Sequence, residues 1–435
     1  MKKKKVLIIT YYWPPAGGPG VQRWLKFAKY LPEFGYEPYI YTPENPSYPL
    51  LDPSLEKEVP KELTLVKTKI WEPYQLAELL SSSNKKYKAG QFDKKENQSL
   101  KGRLSIWVRG NFFIPDARKF WVKPSLRFLK TYLKTHGIDT VITSGPPHSM
   151  HLIGLGLKKQ DSSLKWIADF RDPWTQISYY KHLKLSKWAD TKHHNLEKKV
   201  LQTANLTLAT SYADAEQFTS LGANAICITN GFDPSDLPSL PREGTQSNSK
   251  FILSYIGVLE QLRNPEILWS VLSDIVQKEP LWKEKLEIRF VGRIDPTLFE
   301  SLQNSPLASY LKEIGYVSHE EALAQMQQAN LLLITNFPSE ASKGIIPGKL
   351  FEYLASEKRI LSFGPSLADV QKILEETKSG SHFTYEESDS LKEFLKKEMD
   401  SFYSGEKPES SVSIEKFTRR SLTKSLAQAL EDLNS

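Results

Sequence analysis

Lys349 and Glu352 stand three residues apart in GIIPGKLFEYLAS (344–356), a Pro–Gly turn running into a helical segment, so both share one helical face. Taken alone, that fits a capped surface helix with an ordinary Lys–Glu pair. It also fits an anion site. Pro347 suits the first helical position. The N–H groups of the first turn, opened by Gly348, await an acceptor, and Lys349 adds full positive charge. Glu352 is out of place if an anion is the only ligand, but its carboxylate can accept hydrogen bonds from ribose hydroxyls.

Other segments add to this. GVLEQLRNPE (257–266) sets Gly257 at a strand end and Arg263 just before a helix, where its forked donors match a pyrophosphate. IGYVSHEE (314–321) offers strand-end backbone at Tyr316 and Val317 that can pair with a nucleobase. Together these segments would hold the phosphates, ribose and base of a nucleotide.

The first half has its own candidates. YYWPPAGGPGVQRW (11–24) puts Gly17, Gly18 and Gly20 between a strand and a helix, an arrangement that lets backbone N–H groups approach an anion. The spacing is not G-x-G-x-x-G, which disfavours a dinucleotide cofactor, and a merely tight turn also accounts for it. Arg23 lies in the first turn of that helix, within reach of a ligand. SGPPHSMH (144–151) puts His148 at a strand's carboxyl edge, although a lone histidine is more often structural. DFRDPW (169–174) groups Asp169, Arg171 and Asp172 after an apolar strand, as an internal ion-pair network or as a wall of an acceptor site. His193 and His194 are adjacent, cannot face one ion from a helix, and read as surface residues.

These loops need strands to hold them. Short apolar runs at 6–12, 36–43, 139–145, 164–170, 205–212 and 224–231 alternate with helical patterns, and Val21, Trp24, Leu25, Ala28 and Leu31 share helical spacing. The polar, proline-bearing stretch 233–250 reads as a linker. The same alternation resumes at 251–259, 286–292, 314–317, 330–337 and 359–364. Ser318 and Glu321 have capping-box spacing, and 413–433 reads as a last amphipathic helix. The expected fold class is α/β: two doubly wound, Rossmann-like domains facing each other across a cleft, with ligands beyond the carboxyl ends of the strands. Residues 1–240 form the first domain, with 81–115 an insertion or mobile loop, and 241–412 form the second. Residues 413–435 are a helix placed to pack back on the first domain.

A chain of 435 residues is long for one core, and 40% hydrophobic with 25% charged residues is a globular balance. No run approaches the ~20 apolar residues of a spanning helix. MKKKKVLIITYYWPP has too short an apolar run for a secretory leader and reads as a lysine-flanked first strand. The single cysteine, Cys227, excludes an internal disulfide framework, and no His/Asp spacing suggests a metal site. Charge is uneven: residues 1–240 hold 35 Lys/Arg against 22 Asp/Glu, and residues 241–435 hold 23 against 29. Residues 81–134 are densest, with 14 basic and 3 acidic side chains among many aromatics. That mixture suits an anionic membrane surface or an anionic lipid-linked substrate, or else a solvated face over a partly buried helix. No nucleic-acid module motif is present, and nucleic acid is not an expected partner.

In order, YYWPPAGGPGVQRW, SGPPHS, DFRDPW, GVLEQLRNPE and PGKLFEYLA resemble the family 4-like glycosyltransferases of GT-B fold. The resemblance spans nearly the whole chain and is strongest toward bacterial surface-polysaccharide transferases of a type common in Bacteroidetes. It implies a nucleoside-diphosphate sugar of UDP or GDP type as donor, no cofactor, no metal, and retention of anomeric configuration. The acceptor would be a glycan or a polyprenyl-diphosphate-linked chain, handled in the cytoplasm or peripherally at the inner membrane face. By resemblance, Arg263 and Lys349 hold the pyrophosphate, Glu352 the ribose, and the Gly17–Gly18 loop the distal phosphate. His148 would lie near the transferred sugar, with Arg23, Asp169, Arg171 and Asp172 on the acceptor side. One departure stands out: eight residues before the ribose-binding glutamate the family commonly has a second one, and here that position is Gly344, with Glu340 and Lys343 the nearby substitutes. The alternatives are a GT-B sugar-nucleotide epimerase, with DFRDPW as its acid/base cluster, and a non-catalytic nucleotide-sugar-binding partner.

Overall fold

Strands such as VLII and LLLIT are apolar on both faces, so each must be covered by helices on both sides. In the computed structural model, which describes residues 3–73, 100–177, 180, 183–236, 249–405 and 412–433, they are. The chain divides into two units, Met1–Thr229 with Arg419–Ser435, and Asn230–Thr418.

The first unit is a seven-stranded sheet built from β1 (Lys4–Ile9), β2 (Tyr36–Pro43), β3 (Thr64–Thr68), β4 (Thr140–Gly145), β5 (Lys165–Phe170), β6 (Leu206–Ala209) and β7 (Ala225–Cys227). Its order is β3-β2-β1-β4-β5-β6-β7 and every pairing is parallel, with Val6 opposite Pro38 on one side and Thr140 on the other. The strand period of two sorts β1 between two cores. Val6 and Ile8 pack with Trp24, Leu25 and Phe27 of the helix Pro19–Tyr30 and with Leu422, Leu426 and Leu430 of the helix Arg419–Asp432. Leu7 and Ile9 pack on the opposite face with Trp121 and Leu129 of the helix Lys119–His136 and Ile153 and Leu157 of the helix Ser149–Gln160. Each such fully buried aliphatic or aromatic side chain contributes about 1.5–3 kcal/mol.

The second unit repeats the plan with six parallel strands in the order β10-β9-β8-β11-β12-β13. They are β8 (Phe251–Leu259), β9 (Leu286–Ile294), β10 (Leu311–Gly315), β11 (Leu331–Thr335), β12 (Arg359–Phe363) and β13 (Gly380–Phe383). Phe251, Leu253 and Tyr255 pack against Leu268, Leu272 and Ile275 of the helix Glu266–Lys278 and against Leu391, Leu395 and Met399 of the helix Ser388–Ser404. Both units are the doubly wound parallel sheets expected.

Several local readings change. The helix Leu100–Phe112 occupies part of the stretch expected to be irregular, and 81–99 lie outside the described residues. β3 and β13 were not anticipated: TLVKT is a half-exposed edge strand, and GSHF is short and begins on glycine. β10 ends at Gly315, so Tyr316 and Val317 follow the strand rather than close it. The last α-helix starts at Arg419, after a short 3-10 turn at Ile414–Phe417. The capping box is present: the Glu321 amide donates to Ser318 Oγ at 3.2 Å and the Ser318 amide to the Glu321 carboxylate at 3.0 Å.

Candidate functional site

In the second unit the carboxyl end of β8 passes close to β9. Gly257 and Gly292 face each other in register, both with positive φ (121° and 111°). A Cβ on Gly292 would sit 2.3 Å from the Gly257 carbonyl oxygen, so glycine is required there. That approach fixes the Gly257 turn beside Lys349, whose Nζ lies 3.8 Å from where a Gly257 Cβ would be. Lys349 donates to the Ile256 carbonyl at 3.1 Å and sits 3.7 Å from the Tyr255 ring centroid, a cation–π contact. Burial, and then the nearby Arg263 charge, push its pKa down to about 7 against the opposing pull of Glu352.

Arg263 ends the 3-10 turn Gln261–Arg263. Its Nη2 donates to the Val258 carbonyl at 3.1 Å and to Glu260 at 3.2 Å, while its Nε is buried with no protein partner. The guanidinium lies 5.5 Å from the Phe337 ring centroid. Tyr385 pins this corner, donating to the Asn336 carbonyl at 2.6 Å. Glu352 is half-buried; burial raises its carboxyl pKa, and the charges of His319 and then Lys349 oppose the rise. Arg263, Lys349, Glu352 and Gly257 therefore gather at one strand edge, giving two cations for a diphosphate and one carboxylate for hydroxyls.

Pro347 is not the first helical residue. The helix spans only Lys349–Ala355 with Gly348 as its N-cap, and the Leu350 amide donates to the Pro347 carbonyl at 2.9 Å. Gly348 is exposed, as is Tyr316 (96%), and Val317 is half-buried. Glu340 and Lys343 pair with each other at 2.6 Å across one turn beside Gly344. His319 was missed by sequence reasoning. The signal was available, because the Ser318 capping box makes His319 the first residue of a helix that follows a strand's carboxyl end.

The first unit treats its candidates differently. Gly18 caps the helix Pro19–Tyr30 at φ 102°, and the Gly17 amide donates to the Leu50 carbonyl at 3.1 Å. Arg23 and Asp169 are fully buried. Arg23 donates to Asp169 Oδ1 through Nε (3.2 Å) and Nη2 (2.9 Å) and to the Thr229 carbonyl at 2.9 Å. Trp24 Nε1 and Ser144 Oγ complete the Asp169 shell, each at 2.9 Å. Of the two readings of DFRDPW, Asp169 follows the internal ion-pair network: a buried pair this well satisfied is part of the core. Arg171 lies against Gly20, with a carbonyl contact to Pro146, and Asp172 is exposed.

His148 caps the helix Ser149–Gln160 and stacks on Trp174, with centroids 5.0 Å apart and planes at 4°. His148 Nδ1 and His151 Nε2 are buried without a protein partner. Burial pushes the His148 pKa well below its ordinary value and that of His151 to about 3, so both rings are neutral. His193 is buried rather than on the surface, accepting from Trp174 Nε1 at 3.0 Å, whereas His194 is exposed. Among the described residues no group of acidic, histidine or cysteine side chains is arranged to hold a metal.

No protein-family model matches the sequence, and no curated protein matches it. Solved structures do. The lipopolysaccharide outer core galactosyltransferase WaaB is 15% identical, covering 98% of this chain and 99% of its own, with a TM-score of 0.55. Anabaena HepE, solved in complex with UDP-glucose, is 14% identical over 98% and 99% of the two chains, with a TM-score of 0.54. The fold is GT-B. A putative UDP-N-acetylglucosamine 2-epimerase from Listeria monocytogenes also matches, at 10% identity, 99% and 96% coverage and a TM-score of 0.51. Identities this low carry the GT-B architecture and not the reaction.

Proposed function

We propose that this GT-B protein is a retaining, metal-independent glycosyltransferase that moves a sugar from a UDP- or GDP-type donor to a glycan or polyprenyl-diphosphate-linked acceptor. It would act in cell-surface glycan synthesis at the cytoplasmic face of a membrane. The observation that carries this reading is the convergence of Lys349 and Arg263 at the carboxyl end of β8, with Glu352 one helical turn on. Charge builds on the leaving diphosphate as the anomeric C–O bond breaks, and two fixed cations stabilise it without a metal. On the front-face route the acceptor oxygen bonds the anomeric carbon on the side the diphosphate leaves. Its proton passes to the departing phosphate oxygen, so no pair of protein carboxylates is needed.

The HepE complex with UDP-glucose supports the donor class. The epimerase reading is less well supported, because Asp169, one of the two acids it would draw from DFRDPW, is committed to Arg23. Incubation with UDP- and GDP-sugars, with and without a polyprenyl-diphosphate acceptor, tests the proposal. Acceptor-dependent release of nucleoside diphosphate is the expected result. Isomerised sugar without release would point to the epimerase, and binding without turnover to a non-catalytic partner.

A further inference from the structure

A run of buried polar groups crosses the first unit behind His148. Trp166 of β5, Thr143 of β4 and His151 of the helix Ser149–Gln160 are all fully buried. Trp166 Nε1 donates to Thr143 Oγ1 at 2.9 Å, and Thr143 Oγ1 lies 2.9 Å from His151 Nδ1. Two glycines make room for this chain. A Cβ on Gly154 would fall 2.2 Å from Trp166 Nε1. One on Gly145 would fall 2.5 Å from His151 Nε2 and 3.1 Å from His148 Nδ1. Those last two nitrogens, buried and without a protein partner, therefore converge beside Gly145, close enough to bond directly or through one water.

The placement of the protons follows from what each group can donate. An indole nitrogen only donates, so the Thr143 hydroxyl accepts from Trp166 and has its own proton to give to His151 Nδ1. His151 is neutral, so its proton is on Nε2, beside His148 Nδ1. His148 is neutral as well, and a ring that accepts at Nδ1 carries its proton on Nε2, the nitrogen farther from Gly145. Trp174 fixes the plane of that ring by stacking on it at 4°. Its indole donates to His193 Nδ1 at 3.0 Å and its amide to the Glu197 carboxylate at 3.1 Å.

We propose that Thr143 and His151 are positioning residues that hold His148 in the one tautomer whose Nε2 is a hydrogen-bond donor. His148 then donates to a hydroxyl oxygen of the sugar being transferred and is no base toward the acceptor. That use of the donor rests on the transferase reading, whereas the tautomer does not.

The test is long-range proton–nitrogen NMR of the full chain with isotope-labelled histidine, which separates protonated from unprotonated ring nitrogens. His148 is assigned by the signal lost in His148→Gln. The parent chain should show His148 and His151 both protonated at Nε2 from about pH 5 to pH 8. Thr143→Val, which removes the hydroxyl at nearly constant shape, should move the His148 proton to Nδ1 or mix the two forms, and Thr143→Ser should restore the parental pattern. Turnover of a nucleotide sugar should fall on the order of tenfold in Thr143→Val and recover in Thr143→Ser, with UDP or GDP affinity unchanged in both. Thr143→Val also strips Trp166 of its acceptor, so a second pair guards against misfolding. His151→Gln, whose amide keeps a donor near the original Nε2, should retain the His148 pattern, and His151→Leu should lose it. His148 protonated at Nδ1 or mixed in the parent chain, or a pattern indifferent to both Thr143→Val and His151→Leu, would overturn the proposal. The NMR readout needs no substrate, so failure of the transferase reading would show as absent turnover with the tautomer still in place.

Discussion

Lys349 is held against the Tyr255 ring, its ammonium 3.7 Å from the centroid, with the Ile256 carbonyl as its hydrogen-bond acceptor at 3.1 Å. A lysine so placed keeps its charge only weakly, and its pKa falls to about 7. A diphosphate arriving between Lys349 and Arg263 would reverse that balance, because an opposite charge favours the protonated form.

The first prediction is linked proton uptake. Calorimetric titrations with UDP or GDP at pH 8, in buffers of different ionisation enthalpy, should show uptake of about one proton per nucleotide. Lys349→Met should abolish it. In the absence of ligand the sign for stability follows from the lowered pKa: the unfolded chain holds this proton more tightly. Lys349 therefore detracts from stability below pH 7, and that cost disappears as pH rises from about 7 toward the unfolded value of 10.5.

Glu352→Ala should weaken nucleotide binding by roughly tenfold to a hundredfold, the scale of a lost hydrogen bond to a charged group. Binding of inorganic pyrophosphate should change little, since Glu352 is assigned to the ribose and not to the phosphates. Comparing the two ligands on one variant separates a ribose contact from a general loss of structure.

Asp169→Asn probes the core of the first unit. Breaking a buried ion pair from one side costs about 3–5 kcal/mol, because the remaining charge stays desolvated. Arg23, Trp24 and Ser144 all bond to this carboxylate, so the midpoint of urea unfolding for the first unit should fall sharply. An acceptor-binding role would instead predict raised KM at unchanged stability.

Gly292→Ala tests the backbone under the site. A Cβ there would lie 2.3 Å from the Gly257 carbonyl, at a φ of 111° that alanine adopts with strain. The expected outcome is a loss of about 1–3 kcal/mol of stability together with weaker nucleotide binding. Val258→Ala, exposed at the end of the neighbouring strand β8, should have little effect on stability.

The alternation of apolar strands and helical stretches carried most of the architecture, because strands covered on both faces must be apolar throughout and stand out in the sequence. β3 and β13 escaped for the converse reason: TLVKT is half-exposed, and GSHF offers too few apolar residues to register. At the site, Lys349, Glu352 and Arg263 could be read from residue type and position after a strand. The Gly257–Gly292 approach could not, since it depends on how β8 and β9 are registered. Arg23 and Asp169 lie far apart in sequence, so charge in a loop and charge in a buried pair looked alike until the fold brought them together.

The central claim is that the Asn230–Thr418 unit grips a nucleoside diphosphate through Arg263, Lys349 and Glu352. Isothermal titration of the full chain with UDP and GDP, alongside Lys349→Met and Arg263→Met, addresses it most directly. The account predicts saturable one-to-one binding of at least one nucleotide, weakened at least about tenfold by each substitution with thermal stability retained. Absence of binding by the parent chain, or binding that both variants preserve, would contradict it.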